Sequence, residues 1–200
     1  MSIFVTGTDT DIGKTVVSSW LCMHAGVNYW KPIQTGNDSD KNIVKNFSPH
    51  TKIIAEAYKL KAPLSPYDAA SLENIAINVE SFGKRIEKTV MEGAGGALVP
   101  IAENFFMADL IKKLKVKTLI VAKSQLGMIN HTLMTAEILK NRKVDILGIV
   151  INGEIENNIK STIEKFSHAK ILAVIPRSDD LSGTLRRMDL PQEILEEAIK

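Results

Sequence analysis

Residues 7–15 read GTDTDIGKT and come directly after a short apolar run, Ile3 to Val5. The pattern is close to G-x-x-x-x-G-K-[ST], although Thr8 takes the place expected of the first glycine and Gly7 stands one place early. Residues with helical spacing follow this stretch. A glycine-rich segment between a strand and a helix is the setting that phosphate-binding loops require, so we predict such a loop here.

Three residues of this loop carry the chemistry. Gly13 allows the backbone to approach a phosphate closely, and successive N–H groups can form an anion-binding nest. The helix that follows presents its positive end to the same place. Lys14 supplies a point charge for the outer phosphates, and the Thr15 hydroxyl can reach Mg²⁺. A glycine turn that merely opens a surface helix is the alternative, but Gly-Lys-Thr at a strand end favours phosphate binding.

Six short apolar runs, most of them dominated by β-branched residues, predict buried strands: Ile3 to Val5, Val27 to Trp30, Thr89 to Met91, Thr118 to Ala122, Ile146 to Ile151 and Ile171 to Ile175. Continuous apolar runs are typical of strands covered on both faces. Stretches with helical spacing lie between them, and Asn130 is predicted to cap one of these helices. The segment from Gln34 to Ser81 is predicted to form loops and short helices over one edge.

The alternation of strands and helices predicts the fold class. We expect an α/β fold of three layers, with a mostly parallel central sheet flanked by helices. The length predicts a single domain over residues 1–200. Parallel sheets of this kind bind ligands at the carboxyl ends of their strands, so functional residues are expected there.

Charge balance and cysteine content exclude several classes of protein. The 200 residues contain 25 basic and 23 acidic side chains, and this balance is too even to predict binding to nucleic acid or to an anionic membrane. The one cysteine, Cys22, cannot form an internal disulfide, which favours a reducing compartment. No apolar run approaches the ~18 residues of a membrane span, and the first residues lack a secretory signal. We therefore expect a cytoplasmic protein.

Acidic residues near the predicted strand ends are candidate metal ligands. A nucleotide-bound Mg²⁺ usually takes one or two carboxylates in addition to a hydroxyl. Glu92 is predicted to end the third strand, and the glycines after it allow close approach of a ligand, so we favour a metal ligand over a turn acid. Asp38 and Asp40 lie in the loop after the second strand, and their spacing does not decide whether either is a metal ligand or a solvated turn residue.

Lys31 follows the second predicted strand and precedes Pro32, which fixes the chain beyond it. A lysine at the carboxyl end of a strand can reach the phosphates and stabilise charge on a transferring phosphoryl group, an effect worth roughly 3 kcal/mol per well-placed donor. Most lysines are solvated surface residues, so position alone leaves both interpretations open.

Several blocks of the chain together resemble the dethiobiotin synthetase family, whose members are ATP-dependent enzymes of biotin synthesis. The matching blocks are Thr6 to Thr15, Lys31 to Gly36 (KPIQTG), Ser39-Asp40, Ala62 to Ala70 (APLSPYDAA), Glu92 to Gly96 (EGAGG) and Gly127 to Thr132 (GMINHT). The matches run in order along most of the chain, from Thr6 to Pro176, and the resemblance implies a P-loop NTPase-like fold. Tyr67 stands where the family commonly has histidine, and Gly153 where an acidic residue is more usual.

The resemblance implies a reaction. One amine of 7,8-diaminopelargonic acid takes up CO₂, supplied as CO₂ or bicarbonate, to form a carbamate. A carbamate oxygen then attacks the γ-phosphate of MgATP, and the neighbouring amine closes a cyclic urea and releases phosphate. In this reaction ATP is a co-substrate and Mg²⁺ the cofactor. Lys14 and Lys31 are implied to be catalytic, through positioning and charge stabilisation.

The resemblance also implies binding residues. Thr15, Asp40 and Glu92 would hold Mg²⁺, so that alignment selects Asp40 over Asp38. The implied nucleotide-binding residues are Asp11, Ile12, Gly13, Lys14, Thr15, Val16, Asp40, Glu92, Gly93, Ala94, Gly95, Asn152, Gly153, Pro176, Arg177 and Ser178. Of these, Asn152 and Gly153 match the adenine-binding position. The implied substrate-binding residues are Thr10, Lys31, Thr35, Gly127 and Asn130.

Two expectations concern partners and competing functions. The family is homodimeric, and the partner subunit helps to bind the carboxylate tail of the substrate; the helix start near Gly127 is the expected tail site, because helix N-termini favour carboxylates. The main alternative is a regulatory P-loop ATPase of the chromosome-partitioning or division-site class. Those proteins carry a signature lysine early in the phosphate loop, where this chain has Asp9. A non-catalytic nucleotide-binding module would leave Lys31 without a task.

Overall fold

The computed structural model describes residues 2–37, 40–83 and 86–199. Its strands are β1 (Ile3–Gly7), β2 (Asn28–Trp30), β3 (Ile33–Thr35), β4 (Ile53–Ile54), β5 (Tyr58–Leu60), β6 (Thr89–Gly96), β7 (Pro100–Ala102), β8 (Phe105–Phe106), β9 (Lys117–Lys123), β10 (Ile146–Asn152) and β11 (Ile171–Ile175). Its helices are α1 (Lys14–Ala25), α2 (Asp40–Phe47), α3 (Pro66–Leu72), α4 (Met107–Leu114), α5 (Met128–Asn141), α6 (Asn157–Ser167), α7 (Leu181–Arg187) and α8 (Gln192–Ile199). A short 3-10 helix spans Val79–Phe82.

Seven strands form a central sheet in the order β11-β10-β9-β1-β6-β2-β4, and every neighbouring pair is parallel. The strands β3 and β5 form a separate parallel pair, and β7 and β8 form an antiparallel one. The predicted mostly parallel sheet is therefore confirmed.

Side chains alternate between the two faces of this sheet, as the period of two in a strand requires. On β1, Phe4 belongs to a core that also contains the apolar residues of α4 and α5. Ile3 and Val5 belong to the opposite core, where the fully buried Trp20 of α1 packs with residues of α7 and α8. Each core covers one face of the sheet, which confirms the three predicted layers.

The strand order places the phosphate loop at a switch point. The strand β1 lies in the middle of the sheet, with β6 and β2 on one side and β9 on the other. The loop after β1 therefore lies at the carboxyl ends of the strands, between the strands on one side of β1 and those on the other. Crevices at such points are where open α/β sheets bind their ligands.

All six predicted strands are present, but short strands near them were not predicted. The edge strand β4 was not predicted, because a pair of isoleucines is too short to show a periodicity. The segment from Gln34 to Ser81 contains the predicted short helices α2 and α3, but it also supplies β4 and β5.

Two local predictions were wrong. Glu92 does not end its strand, because β6 continues to Gly96, where the glycine lies directly beside Gly7 of β1. A Cβ atom at Gly96 would come within 3.3 Å of the Gly7 carbonyl oxygen, so glycine suits this close pairing. Asn130 does not cap α5: the helix begins at Met128 after Gly127, which takes the left-handed backbone conformation, and Asn130 lies inside the first turn.

None of the helices in the described part of the chain has the length and apolar character needed to cross a bilayer.

The lone cysteine provides a check on the packing of α1. Cys22 is 1 % exposed, and burial raises the pKa of its thiol to about 12. At pH 8 only about 10⁻⁴ of the thiol would be thiolate, the reactive form. We expect no measurable labelling by a thiol reagent in the native protein and complete labelling in guanidinium chloride. Labelling of the native protein at the unfolded rate would contradict this packing.

Candidate functional site

The loop between β1 and α1 forms one wall of a cavity of about 670 Å³ at the carboxyl edge of the sheet. The cavity is lined by Thr10, Asp11, Gly13, Lys14, Thr15, Val16, Lys31, Gln34, Thr35, Asp40, Asn42, Ile43, Glu92, Ala94 and Gly95. One cavity thus brings together the phosphate loop, both candidate lysines, and the carboxylates of Asp40 and Glu92. Asp38 lies outside the described residues.

Gly13 fixes the shape of the phosphate loop. It precedes α1 with a φ of 96°, in the left-handed region that favours glycine. A Cβ atom there would come within 2.2 Å of the Asn152 side-chain nitrogen. The same nitrogen donates a hydrogen bond to the Ile12 carbonyl oxygen at 3.1 Å. The end of β10 therefore holds the loop from behind, in a space that only a glycine leaves open.

Lys14 begins α1 and is almost completely buried. Its Nζ donates a hydrogen bond to the Asp9 carbonyl oxygen at 2.7 Å, so the side chain arches back over its own loop. Burial lowers the pKa of this lysine, because the charged form loses hydration, and the nearby Glu92 carboxylate opposes that shift. The ammonium therefore lies against the backbone of its own loop, at the Asp9 carbonyl.

Thr15 lies between two carboxylates. Its Oγ1 is 2.9 Å from Asp40 Oδ1 and 2.8 Å from Glu92 Oε1. A threonine hydroxyl has one proton to donate, so it can satisfy only one of these two oxygens at a time. The three oxygens form a concentrated group of hard ligands, and the unsatisfied contact is one that a cation would relieve.

Lys31 reaches the same group from the end of β2. Its Nζ forms an ion pair with Asp40 Oδ2 and lies 3.7 Å from Glu92 Oε1. The side chain is only 11 % exposed, which excludes the interpretation of Lys31 as a solvated surface lysine. Its ammonium balances part of the negative charge of the two acids.

Tyr29 is a member of the site that the sequence did not reveal. Its hydroxyl donates to Glu92 Oε2 at 3.1 Å, and the side chain is fully buried. Burial, reinforced by the Glu92 charge, raises the pKa of this phenol well above its usual value, so it is a neutral donor. In the sequence, Tyr29 lies within a predicted buried strand, and nothing distinguishes it there from the apolar residues of that strand. Gln34 and Asn42 also line the cavity. Gln34 lies in the KPIQTG block, but neither residue was selected as a site residue from the sequence.

The remaining predicted residues lie around this cavity and do not line it. Ile12 and Gly93 are buried behind it. Gly153 follows β10, and a Cβ atom built on it would lie 3.9 Å from the Arg177 side chain, so these two predicted nucleotide-side residues are neighbours. Pro176 and Ser178 flank Arg177 in the loop after β11.

A second cavity, of about 640 Å³, lies on the other side of the phosphate loop. Thr8, Asp9 and Gly96 line it, together with apolar residues of β7 and the connection before it and with residues of α5 that include His131 and Met134. Gly127 and Asn130 stand at the start of α5 without lining either cavity. The loop therefore separates a polar cavity from a mainly apolar one.

Comparison with solved structures shows the fold. The chain aligns with a ParA family ATPase from Chlorobium tepidum with a TM-score of 0.54 at 13 % identity, covering 98 % of each chain. It aligns with the cell division ATPase MinD from Pyrococcus furiosus with a TM-score of 0.55 at 12 % identity, covering 99 % of this chain and 97 % of that one. At such low identity these likenesses establish a P-loop fold and do not transfer a function.

Comparison of sequences shows the family. A family model described as an AAA domain matches residues 1–184. The ATP-dependent dethiobiotin synthetase BioD of Paramagnetospirillum magneticum is 46 % identical over 177 residues, which cover 86 % of both chains. The enzyme of the same name from Lawsonia intracellularis is 41 % identical over 198 residues, covering 97 % of both. These relatives confirm the resemblance found in the sequence blocks: the chain belongs to the ATP-dependent dethiobiotin synthetase family.

Proposed function

We propose that this chain closes the cyclic urea of dethiobiotin from 7,8-diaminopelargonic acid and CO₂ at the expense of ATP. The observation that carries the proposal is the convergence of Lys31, Thr15, Asp40 and Glu92 in one cavity beside the phosphate loop. A simple nucleotide switch needs the loop and a metal site. It does not need a nearly buried lysine held between the metal-site carboxylates.

The reaction requires an anionic nucleophile to approach an anionic triphosphate. One amine adds to CO₂ and loses a proton, which gives a carbamate. A carbamate oxygen then attacks the γ-phosphorus and displaces ADP, and the second amine attacks the carbamoyl carbon of the resulting anhydride and expels phosphate. Repulsion between the reacting anions is the main barrier that protein charge can lower, so cations positioned in advance are the expected catalysts.

Two lysines are suited to this task. Lys14 extends from the first turn of α1 over the phosphate loop and would hold the outer phosphates. Lys31 enters from the end of β2 and would hold the carbamate in line with the γ-phosphate. Thr35 lines the same cavity and would hydrogen-bond the nitrogen or carbamate end of the substrate. Thr10 also lines this cavity and would contribute to substrate binding.

The donor set fits Mg²⁺. The Thr15 hydroxyl and the Asp40 and Glu92 carboxylates supply oxygen ligands, which this ion prefers. No group of three or more histidine, cysteine or acidic residues suited to a metal occurs among residues 2–37, 40–83 and 86–199, so nucleotide phosphates would have to complete the coordination. When bound, the ion would neutralise charge developing on the β- and γ-phosphate oxygens.

The two cavities fit the two ends of the substrate. The diamine head would lie in the polar cavity, and the aliphatic chain would pass Gly95 and Gly96 into the apolar one, towards the start of α5 at Gly127. Met134 on α5 is half exposed, an apolar surface that a second subunit would cover in the expected homodimer. Sedimentation should then give twice the chain mass of 22.0 kDa. We further infer a cytoplasmic enzyme, supported by its use of ATP and by its single free thiol.

Adenine would lie near Asn152, Gly153 and Arg177, at the ends of β10 and β11. These residues adjoin the phosphate loop through the hydrogen bond from Asn152 to the Ile12 carbonyl. Pro176 and Ser178 would line the same adenine site.

Phosphate release from ATP tests the proposed function directly. We expect release only when 7,8-diaminopelargonic acid and bicarbonate are both present, because the attacking oxygen belongs to the carbamate and not to water. The measurement is the initial rate of phosphate release with each component left out in turn. Comparable release without the diamine would contradict a synthetase and favour the alternative, a regulatory P-loop ATPase.

A further inference from the structure

The buried carboxylate of Glu92 is held from two opposite sides. It is 1 % exposed, and a charged group so deeply buried requires partners for both of its oxygens. Oε1 faces Thr15 and Lys31, whereas Oε2 accepts the hydrogen bond from Tyr29. The two oxygens therefore have different tasks: one faces the cavity, and the other faces the core.

The sheet fixes the position of Tyr29. In the parallel pairing of β2 with β6, Tyr29 stands beside Val90. Val90 and Glu92 are two residues apart on β6, so they project from the same face. The Tyr29 ring packs in the core that contains Val5, Val17 and Trp20. Its hydroxyl is thereby held at one point, where it meets Glu92 Oε2.

We propose that Tyr29 is a positioning residue that presents Glu92 Oε1, together with Thr15 and Asp40, to the divalent cation. This inference rests on the proposed function, because it takes Glu92 to be a metal ligand. Without the phenol, Glu92 Oε2 loses the neutral donor that Tyr29 supplies, and the carboxylate is free to rotate towards the Lys31 ammonium. A carboxylate with two accessible orientations binds an ion less tightly than one held in the productive orientation.

The test is the Tyr29→Phe variant, which keeps the ring and removes only the hydroxyl. Hydrogen-bonding partners of metal ligands typically change metal affinity by about 10- to 100-fold. We expect the Mg²⁺ concentration that half-saturates the ADP complex to rise about tenfold, measured by calorimetry, while metal-free ADP affinity changes less than about twofold. Tyr58→Phe is the matched control. Its hydroxyl accepts from the Asn78 amide and the Ser81 hydroxyl, and its loss should leave Mg²⁺ affinity unchanged.

Three outcomes would overturn the inference. One is an unchanged Mg²⁺ titration in Tyr29→Phe. Another is an equal loss of metal-free ADP affinity, which would show a structural role only. The third is a full further effect of Tyr29→Phe in a Glu92→Gln background, where a residue acting through Glu92 should add nothing.

A second measurement uses the native chain, in case the variant fails to fold. With ¹³C-labelled tyrosine, the Tyr29 ring resonance should move when Mg²⁺ is added to the ADP complex, and the Tyr58 resonance should not. A stationary Tyr29 resonance would overturn the inference. Failure of the proposed function would look different: the native enzyme would release no diamine-dependent phosphate, or Glu92→Gln would keep the native Mg²⁺ requirement.

Discussion

Lys31→Ala should lower the turnover number for dethiobiotin formation by about 10²-fold or more, since a pre-positioned donor to developing charge is commonly worth that much. The expectation follows from the position of the ammonium, which is nearly buried beside Asp40 and Glu92. Lys14, the other lysine among the described residues that line the cavity, does not replace it, because Lys14 is directed over the phosphate loop. The measurement is single-turnover formation of product at saturating ATP and diamine.

Nucleotide binding provides the internal control for this result. Lys31→Ala leaves the phosphate loop and the Thr15, Asp40 and Glu92 oxygens in place, so MgADP binding should persist. Lys41→Ala is the matched control: that lysine also forms an ion pair, with Glu56 at 2.9 Å, but outside the cavity. It should leave turnover unchanged. Native turnover in Lys31→Ala would remove Lys31 from the mechanism, and a parallel loss of MgADP affinity would reassign it to nucleotide binding.

Gly13→Ala should impair both folding stability and nucleotide binding. The left-handed backbone costs an alanine about 1–2 kcal/mol. The new Cβ atom would also lie 2.2 Å from the Asn152 side-chain nitrogen, and forcing such groups apart typically costs a further 1–3 kcal/mol or so. Because the phosphate loop must move to relieve this contact, we expect MgADP affinity to fall. Turnover should fall by about 10²-fold, the effect on rate of a displacement of roughly 1 Å at a catalytic site.

The Gly26→Ala variant separates the cost of the left-handed backbone from the cost of the contact with Asn152. Gly26 ends the same helix with a φ of 60°, and a Cβ atom there would meet nothing within 4 Å. This variant should show the backbone cost alone, about 1–2 kcal/mol in urea unfolding, with native MgADP affinity. Adding Asn152→Ala to Gly13→Ala should recover part of the lost stability. If Gly13→Ala were no more destabilising than Gly26→Ala, the contact with Asn152 would not shape the loop.

The sequence was sufficient to predict the sheet that surrounds this site, but not the side-chain contacts within the site. Continuous apolar runs and the position of Gly13 to Thr15 after the first of them predicted the sheet and its functional edge. Spacing did not decide between Asp38 and Asp40, because the sequence predicted both to lie in the loop after the second strand. That prediction was wrong for Asp40, which is the first residue of α2. The structure places Asp40 beside Thr15. Only the family resemblance had selected it beforehand.

Tyr29 shows why the contacts within the site could not be predicted from the sequence. A hydrogen bond between β2 and β6 joins residues 63 positions apart in the chain, and it depends on strand register, which no local pattern encodes. Lys14 is similar: its sequence context predicts where the side chain begins, but not that its ammonium bends back onto the Asp9 carbonyl. The two-residue strand β4 was missed for a different reason, since its pairing with β2 and not its own composition makes it a strand.

The hydrogen bond from Lys14 to the Asp9 carbonyl bears on how readily product leaves. In the proposed reaction, a phosphate bound by Lys14 would displace that carbonyl, so the net gain on binding would be the difference between two hydrogen bonds and not the full strength of one. When ADP departs, the ammonium has an acceptor within its own loop and need not remain unpaired in a buried place. In the proposed function, the loop would thus weaken its own binding of nucleotide, which would favour rapid exchange of ADP for ATP over tight retention.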